Sequence, residues 1–518
     1  MKPRNHGIWT RESLIDLPSW DRTILWYARA IAAMWERNPD DPLSWQYQAG
    51  IHGYQPELDP FSGDGRPRPR PDQQRLYWNQ CQHFSWYFLP WHRGYLGFFE
   101  KIVRSHVVRL GGPEDWALPY WNYSASNIQK ARILRREFRD AVFPPDPHDR
   151  RWDGKPNPLA KPCRAVRLQD CGEGHESWKR TGELGIGADT VSLKCLQVAN
   201  FFNEIGDGDE SFGGPKTGFM HDAQSPAEQV VGQLEATPHG DIHMSVNGWM
   251  SEFDTAALDP LFWLHHCNID RLWEVWRGMP NEGNPTDAAW LRGQNFRLHD
   301  QRAAEVTFTT EQVLETPSAL FAYRYEDISP PPIPHRRFRT PLLASLEAVR
   351  PLEEAVMPDP DQRKRKPQLV GASLESVQLG KSPTAGTVRL HGLEALRAPA
   401  GDLELRAAAP PLQALLNIAN VVGLPNTRGY RVYLIGKPGG DKVHAGNMSM
   451  FGLTKASDPN QHAGNGLTYV FNVTEQIAAL KAKNEWDEQH FQVVFEPAEQ
   501  QSDETVSVKI GKISLFYK

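Results

Sequence analysis

Six of the 18 histidines stand in sequence contexts that could hold a metal ion, and they fall into two groups of three. They are His52, His83, His92, His239, His243 and His266. Three neutral imidazoles without an acidic ligand suit copper or zinc. One such set would indicate a zinc hydrolase or hydratase, whereas two sets predict a pair of metal ions that share a small ligand. Copper suits such a pair best, because each ion exchanges one electron and the two can bind dioxygen between them.

The spacing of the first group places its histidines on different elements. His83 and His92 are nine residues apart in YWNQCQHFSWYFLPWHRGYLGFFE, so one straight helix would carry them on opposite faces. Pro90 lies between them and suits the first turn of a helix. We therefore expect His83 to precede a helix that begins near Pro90 and carries His92. His52 follows an apolar helical stretch and can supply the third ligand from another direction.

The second group combines a histidine pair with a histidine on a long helix. His239 and His243 are four residues apart in LEATPHGDIHMSVNGWM, so both can project from one helix face; a solvated face is the alternative. His265 and His266 are adjacent, and we expect only His266, on the apolar stripe, to face the core. It is a metal ligand or a hydrogen-bonded core histidine. Asp270, one turn later, can orient a ligating imidazole; an ordinary ion pair with Arg271 or Arg277 is the alternative.

The elements that must position these residues are mainly helical in the first two thirds of the chain. Residues 20–110 indicate helices interrupted by a Pro- and Arg-rich loop at 61–72. The clearest helix is DPLFWLHHCNIDRLWEVWRG, in which Asp259 can cap the start, Pro260 takes the first position and Gly278 ends the helix. These patterns predict a mainly α domain.

The pattern changes after a proline-rich, charged stretch. Short β-branched and aromatic runs then alternate with turn residues, which is typical of a β-sandwich. We therefore predict a helical domain over 1–345, a linker over 346–385 and an all-β sandwich domain over 386–518. No internal repeat is visible.

Composition limits the classes of function. The chain has 518 residues and a net charge of −6, too mild to indicate nucleic acid or an anionic membrane as the main partner. No run of about 18 apolar residues occurs, so we expect no membrane span. Five cysteines argue against a secreted disulfide scaffold. The N-terminus lacks the apolar core of a signal peptide, which predicts a cytoplasmic protein and leaves export alongside a signal-bearing partner open.

Two stretches resemble the copper signatures of the type 3 copper proteins, which are the tyrosinases, catechol oxidases and haemocyanins. HFSWYFLPWHRGYLGFFE, from His83 to Glu100, resembles the first signature. DPLFWLHHCNID, from Asp259 to Asp270, resembles the second. The resemblance covers residues 20–330 and implies two copper ions, one held by the first three histidines and the other by the last three.

The resemblance also implies an architecture. A four-helix bundle with long loops would form the dicopper core of a mainly α catalytic domain, and a β-rich C-terminal domain would shield it and keep the enzyme latent. In this family a side chain from the tail plugs the copper pocket. The candidate plug is the turn His444–Gly452, for which a plain β-turn with apolar anchors is the alternative. Tyr323 and Tyr325 resemble the Tyr-x-Tyr pair that closes the catalytic domain in plant and fungal members.

The implied activity uses dioxygen to hydroxylate monophenols, to oxidise o-diphenols to o-quinones, or both. A catechol oxidase or an o-aminophenol oxidase without monophenolase activity is the nearest alternative. More distant alternatives are oxygen transport, as in the haemocyanins, and a zinc hydrolase. The implied partners are phenols or catechols and O2, with no nucleic acid and no membrane. The sequence does not decide between a monomer and a homo-oligomer.

Four further residues acquire roles through the resemblance. Cys81 has the spacing from His83 at which fungal tyrosinases and molluscan haemocyanins form a Cys–His thioether; a buried free thiol is the alternative. Glu235 matches a glutamate that holds a water for phenol deprotonation, or it simply suits a helix start. Gly240 replaces the asparagine of many strong monophenolases, which puts that activity in doubt. Phe253 matches a residue that overhangs the coppers, with a core aromatic as the alternative.

Overall fold

The computed structural model describes residues 7–160, 182–219, 229–331, 366–391, 413–424, 429–459, 464–498 and 507–518. Its α-helices are α1 (Arg22–Trp35), α2 (Trp45–His52), α3 (Pro71–Tyr77), α4 (Phe88–Arg109), α5 (Ile128–Ala131), α6 (Asp241–Val246), α7 (Pro260–Arg277), α8 (Ala288–Arg292), α9 (Thr310–Val313), α10 (Leu453–Ser457) and α11 (Thr474–Ala482). Within these described ranges, no helix combines the length and the apolar character that crossing a bilayer requires.

Aromatic packing holds the helical core together around α4. This helix packs against α1 and against α7. The rings of Phe99 on α4 and Trp263 on α7 stack with their centroids 3.4 Å apart. Trp45, the first residue of α2, contacts both rings at 5.8 and 6.0 Å. Buried aromatic rings contribute large apolar areas, so this cluster fixes α2, α4 and α7 relative to one another.

The two long helices follow their sequence signals closely. The Asp259 side chain accepts a hydrogen bond from the backbone N–H of Leu261 at 2.9 Å, and α7 ends before Gly278 as predicted. Helix α4 begins at Phe88, two residues before the predicted start at Pro90. The difference arises because N–H groups of the first turn have no acceptor inside the helix, so proline is tolerated beyond the first position.

The strands of the helical domain are short. They are β1 (Trp9–Arg11), β2 (Phe202–Asn203), β3 (Gly214–Pro215), β4 (Gln229–Val230), β5 (Phe296–His299), β6 (Glu305–Phe308) and β7 (Tyr323–Tyr325). The C-terminal domain carries β8 (Gln368–Ser373), β9 (Val377–Leu379), β10 (Thr384–Leu390), β11 (Ala414–Leu424), β12 (Gly429–Ile435), β13 (Lys442–Ser449), β14 (Leu467–Asn472), β15 (His490–Pro497) and β16 (Ser507–Tyr517).

The C-terminal strands form one continuous antiparallel sheet in the order β13-β12-β15-β10-β8-β16-β11-β14, with β9 paired to β16. Alternate residues of these strands enclose a single hydrophobic core. Fully buried examples are Val388, Ile418, Val432, Phe495 and Ile510. The predicted fold class, a helical core followed by a β-sheet domain, is confirmed; α10 and α11 are additions to the β domain.

The predicted linker is too long at its C-terminal end. Strands β8 and β9 lie inside 346–385, and they pair with β16 at the end of the chain. The β domain therefore begins near residue 366, not at 386. These strands are short and partly exposed, so their few apolar residues do not form a recognisable strand pattern in the sequence. They become strands because distant strands supply their hydrogen-bond partners. Residues 346–365 lie outside the described part of the chain.

Strand β4 joins the two domains, because it extends the C-terminal sheet by pairing parallel to β14. Polar contacts also join the two domains. Lys455 forms an ion pair with Asp254 at 3.1 Å, and the side-chain amide of Asn447 donates to Asp241 at 3.3 Å. These contacts place the end of β13 against the segments that carry the second group of histidines.

Candidate metal centre

The first three predicted histidines converge from three elements. His52 ends α2, His83 lies in the irregular segment before α4, and His92 lies in the second turn of α4. The ring centroid of His83 lies 5.4 Å from that of His52 and 5.2 Å from that of His92. Phe84 has a φ of +53°, a left-handed conformation that turns the chain between His83 and α4. The expected approach from different directions is therefore present.

The last three predicted histidines converge beside them. His243 lies on α6, His239 on the irregular turn Glu235–Gly240 that leads into it, and His266 on α7. The ring centroid of His243 lies 4.6 Å from that of His239 and 5.5 Å from that of His266. The rings of His92 and His266 stack at 4.4 Å, so the two groups touch. All six rings belong to one buried cluster.

Oxygen acceptors fix the orientation of five of these six rings. In each of the five, Nδ1 lies 2.7–3.1 Å from an oxygen. The pairs are His52 with the Phe253 carbonyl, His83 with the Glu235 carboxylate, His92 with the Phe88 carbonyl, His239 with the Glu235 carbonyl, and His243 with the Met250 carbonyl. A proton on Nδ1 leaves Nε2 as an acceptor, which is the tautomer that binds a metal through Nε2.

The Nε2 atoms face one another instead of protein donors. Nε2 of His52 lies 3.3 Å from Nε2 of His83, and because both rings carry their proton on Nδ1 this contact joins two acceptors. Nε2 of His92 and of His239 has no hydrogen-bond partner among the described residues. Buried acceptors without donors are unfavourable, and a cation among them would satisfy them. The donor set fits a metal ion that prefers imidazole, as copper does.

Burial keeps these rings neutral. Desolvation lowers the pKa of all six imidazoles, to about 3 for His92 and His243, and neighbouring histidines lower it further for most of them. The rings are therefore uncharged at neutral pH. The neutral imidazole is the form that binds a metal ion.

His265 is a residue that the sequence interpretation missed. It was expected to lie beside the core, but it is fully buried, and its ring centroid lies 4.9 Å from that of His243. One of its ring nitrogens lies within 4.8 Å of ring nitrogens of His239, His243 and His266. The expectation is wrong because protein surrounds α7, so a position beside the apolar stripe is as buried as the stripe. The available signal was the His-His pair within residues 260–269, a stretch of the helix that has no Asp, Glu, Lys or Arg.

Cys81 is a buried cysteine beside the first group, and it forms no disulfide within the described ranges. Its Sγ lies within 4.8 Å of a ring nitrogen of His52 and of one of His83. Burial raises the pKa of the thiol to about 12, so the sulfur carries its proton at neutral pH. The thioether between Cys81 and His83 stays a prediction, and the two residues are near enough for it.

Glu235 holds the segment that carries His83. Its carboxylate accepts hydrogen bonds from the backbone N–H of Phe84 and from Nδ1 of His83, both at 2.9 Å. Burial raises the pKa of this carboxyl well above its ordinary value. Glu235 does begin the helical turn Glu235–Gly240, as the alternative expected, and its carboxylate also bonds to another segment. Glu235 also borders a cavity beside Gly240 and Ser449, and its role as a proton acceptor for phenols stays a prediction.

The predicted contact between Asp270 and a ligating histidine is wrong. Its carboxylate accepts hydrogen bonds from Arg93 at 2.5 Å and from the hydroxyls of Tyr323 and Tyr325, each at 2.6 Å. Asp270 lies one helical turn, about 5.4 Å, beyond His266. At that position its carboxylate is bound by Arg93 of α4 and not by a histidine. These partners lie on α4 and β7, so Asp270 does not form the alternative ion pair with Arg271 or Arg277 of its own helix either. This network anchors the Tyr-x-Tyr strand β7 to α4 and α7.

Two phenylalanine rings cover the histidine cluster. Phe253 stacks on His83 with centroids 4.3 Å apart. Phe451, from the C-terminal domain, stacks on His243 at 4.0 Å, and the two phenylalanine rings meet at 4.5 Å. Both phenylalanines are buried. Phe253 therefore packs on the first group and Phe451 on the second, from the other domain, while a role of Phe253 in substrate access stays a prediction.

The predicted plug segment His444–Gly452 reaches the cluster, but only its last residues form a turn. Its first part continues β13 as far as Ser449. Ser449 packs directly on Gly240, since an added Cβ at Gly240 would lie 2.8 Å from Ser449 Oγ. Gly452 has a φ of +78°, which favours glycine and turns the chain directly after Phe451. The close approach of the domains thus depends on a glycine on each side.

Comparisons with known proteins match both domains. Residues 42–279 match the common central domain of tyrosinase, and residues 366–518 match a domain of unknown function, DUF7868. The chain is 33% identical to tyrosinase HcTyr1 of Hahella sp. (strain CCB-MM4), over 98% of each chain. It is 30% identical to the chloroplastic (+)-larreatricin hydroxylase of Larrea tridentata, over 58% of this chain and 47% of that one.

Solved structures with the same fold include latent apple tyrosinase, at a TM-score of 0.56 and 19% identity over 99% of this chain and 98% of that chain. An Aspergillus oryzae pro-tyrosinase variant matches at a TM-score of 0.52 and 16% identity over 100% and 93% of the two chains. At these identities the likeness concerns the fold alone. It extends over the helical and the β domain together.

Proposed function

The chain belongs to the tyrosinase family of copper enzymes that act on phenols with O2, and we propose that it is a latent o-diphenol oxidase with two copper ions. One ion is held through Nε2 by His52, His83 and His92, and the other by His239, His243 and His266. The observation that carries this proposal is the common orientation of the rings. Five Nδ1 atoms are bonded to oxygens, and the Nε2 atoms converge in a buried space without other donors.

Bound copper supplies dioxygen binding and electron exchange, while the protein supplies orientation and electrostatics. Neutral imidazoles leave the charge of the ions uncompensated, which favours an anionic phenolate beside them. Glu235 contributes the carboxylate that borders the cavity next to Phe451. We propose that this carboxylate accepts the proton of an incoming phenol.

The ring of Phe451 marks the substrate position. It stacks on a proposed copper ligand, His243, as an aromatic substrate ring would. Phe451 and a phenol cannot occupy this place together, which supports latency through the C-terminal domain. Phe253 stays over His83 when that domain leaves, and it forms the opposite wall.

We propose that oxidation of o-diphenols exceeds hydroxylation of monophenols. Gly240 provides no polar side chain beside Glu235. The hydroxyl group nearest that position belongs to Ser449, which departs with the C-terminal domain. A monophenol has to lose its proton at the site, so a weakly organised proton acceptor affects it more than a catechol.

The test compares the copper-loaded full chain before and after limited proteolysis of the C-terminal domain. Each sample receives tyramine alone or catechol alone, and metal content is measured in parallel. We expect two copper ions per chain, little quinone before proteolysis, and faster quinone formation afterwards from catechol than from tyramine. A His243→Ala chain serves as the inactive control. Full copper loading without quinone from either compound, even after proteolysis, would point to oxygen binding and contradict the proposal.

A further inference from the structure

We infer that His265 is a seventh imidazole of the metal centre, which receives copper during loading and passes it to His266. This inference rests on the proposed dicopper function. It adds a ligand to the second group that neither the spacing of the signature nor the six-histidine scheme requires. Three observations carry it: the position of His265, the state of its ring nitrogens and the state of its neighbour on α7.

The position of His265 is that of a ligand. It is fully buried, and one ring nitrogen lies within 4.8 Å of a ring nitrogen of each of His239, His243 and His266. Its ring centroid lies 5.4 Å from that of His239 and 5.1 Å from that of His266. A single ion among these nitrogens can reach four imidazoles by small side-chain rotations.

Its ring nitrogens have no other use in the structure. Neither Nδ1 nor Nε2 of His265 has a hydrogen-bond partner, and within the described ranges no other buried histidine lacks partners at both nitrogens. A structural core histidine normally bonds through at least one nitrogen, as His106 does with the Leu43 carbonyl. An imidazole with two unused buried nitrogens is therefore unfavourable in the metal-free chain, and a bound ion relieves the cost.

His266 is the one proposed ligand whose orientation is not fixed through Nδ1. That atom has no partner among the described residues, whereas Nδ1 of each of the other five rings bonds to an oxygen. The ligand whose Nδ1 is not anchored and the imidazole without partners are thus neighbours on α7. His265, His239 and His243 would hold the incoming ion first, and His266 would then take the place of His265 as the third imidazole. Both rings are neutral, so no proton or electron moves in this step.

The test follows copper uptake by the metal-free full chain carrying His265→Phe, which keeps the ring size and removes both nitrogens. A matched control, His106→Phe, removes a buried histidine outside the cluster. We expect the first variant to take up Cu(II) about tenfold more slowly than the parent while still reaching two ions per chain, and the control to load at the parent rate.

A second variant separates a ligand from a packing residue. In a His266→Ala chain, His265 should retain copper in the second group with weaker affinity against a competing chelator, and adding His265→Phe should abolish that binding. The unfolding temperature of the metal-free His265→Phe chain should equal or exceed that of the parent, because no hydrogen bond is lost. A parent-like loading rate in His265→Phe, or copper retention in His266→Ala that does not depend on His265, would overturn this inference and leave the dicopper function intact. A parent chain that binds no copper would overturn the proposed function instead.

Discussion

The ring of Phe451 lies flat against the ring of His243, with centroids 4.0 Å apart and planes 16° from parallel. Phe451 belongs to the C-terminal domain and His243 to the helical domain, so this contact crosses the domain boundary at the proposed metal centre. Under the proposed function, the ring fills the place that a phenol has to enter. We therefore expect access to the centre to require displacement of Phe451.

Removing the ring of Phe451 should partly activate the intact chain. We expect Phe451→Ala to raise quinone formation from catechol by about tenfold, a change equivalent to about 1.4 kcal/mol, because the ring that blocks the centre is gone. Initial rates of the copper-loaded full chain measure this. Leu374→Ala, at a residue of the same domain that is 68% exposed, is the control and should change nothing. Equal rates for parent and Phe451→Ala would show that another group closes the site.

A side chain at Gly240 should loosen the C-terminal domain. The added Cβ of Gly240→Ala would lie 2.8 Å from Ser449 Oγ, which is closer than real Cβ contacts allow. We expect a severalfold rise in the activity of the full chain and no rise after proteolysis of the C-terminal domain. Gly218→Ala, where an added Cβ meets nothing within 4 Å, is the matched control. Ser449→Gly in the Gly240→Ala chain should restore latency; failure to do so would place the effect elsewhere.

The ion pair between Lys455 and Asp254 should hold the two domains together. Both side chains are largely buried, at 14% and 11% exposed, and the charges lie 3.1 Å apart. We expect Lys455→Met and Asp254→Asn each to raise full-chain activity about fivefold, equivalent to about 1 kcal/mol of domain closure. In the double variant the two effects should not add, because one interaction is lost once. Additive effects would mean that the two residues act independently.

Asp270 should matter for stability and not for metal affinity. Burial alone would raise the pKa of Asp270, but Arg93 and Arg11 outweigh it and hold that pKa below its ordinary value. We expect Asp270→Asn to lower the free energy of unfolding by about 3 kcal/mol at neutral pH, because it leaves buried arginine charge uncompensated. Denaturant unfolding of the metal-free chain measures this.

The stability lost in Asp270→Asn should depend on pH. A carboxyl with a lowered folded-state pKa stabilises the protein above its unfolded-state pKa, and this stabilisation is lost as pH falls through the folded-state value. The difference between parent and Asp270→Asn should therefore shrink in acid. Asp72→Asn, at an exposed pair with Arg70, is the control and should leave stability nearly unchanged. Loss of copper from Asp270→Asn without loss of stability would favour the histidine contact that the structure contradicts.

The proximity of Cys81 to His83 predicts a mass change. If the thioether forms, the peptide that contains both residues is lighter by two hydrogens, one from the thiol and one from the imidazole carbon, with O2 as the oxidant. Mass spectrometry of peptides from the copper-loaded chain and from Cys81→Ser measures this. A free thiol in the copper-loaded chain would leave Cys81 as a buried hydrophobic side chain.

The sequence by itself determined the features that depend on near neighbours in the chain. The bounds of α7 follow from Asp259, Pro260 and Gly278, because caps and proline act within one helical turn. The six histidines were recognisable because their spacing excludes a common helix face and because two signatures surround them. The change to short β-branched runs predicted the second domain for the same local reason.

Only the tertiary structure decided which groups meet across the chain. His265 is buried because other elements cover every side of α7, and a helical stripe cannot reveal how many sides are covered. Asp270 binds Arg93 because long side chains from another helix reach it first. Strands β8 and β9 exist because β16 supplies their hydrogen bonds. Phe451 and His243 are more than 200 positions apart in the chain. They meet only because the two domains pack together, a contact that no local pattern encodes.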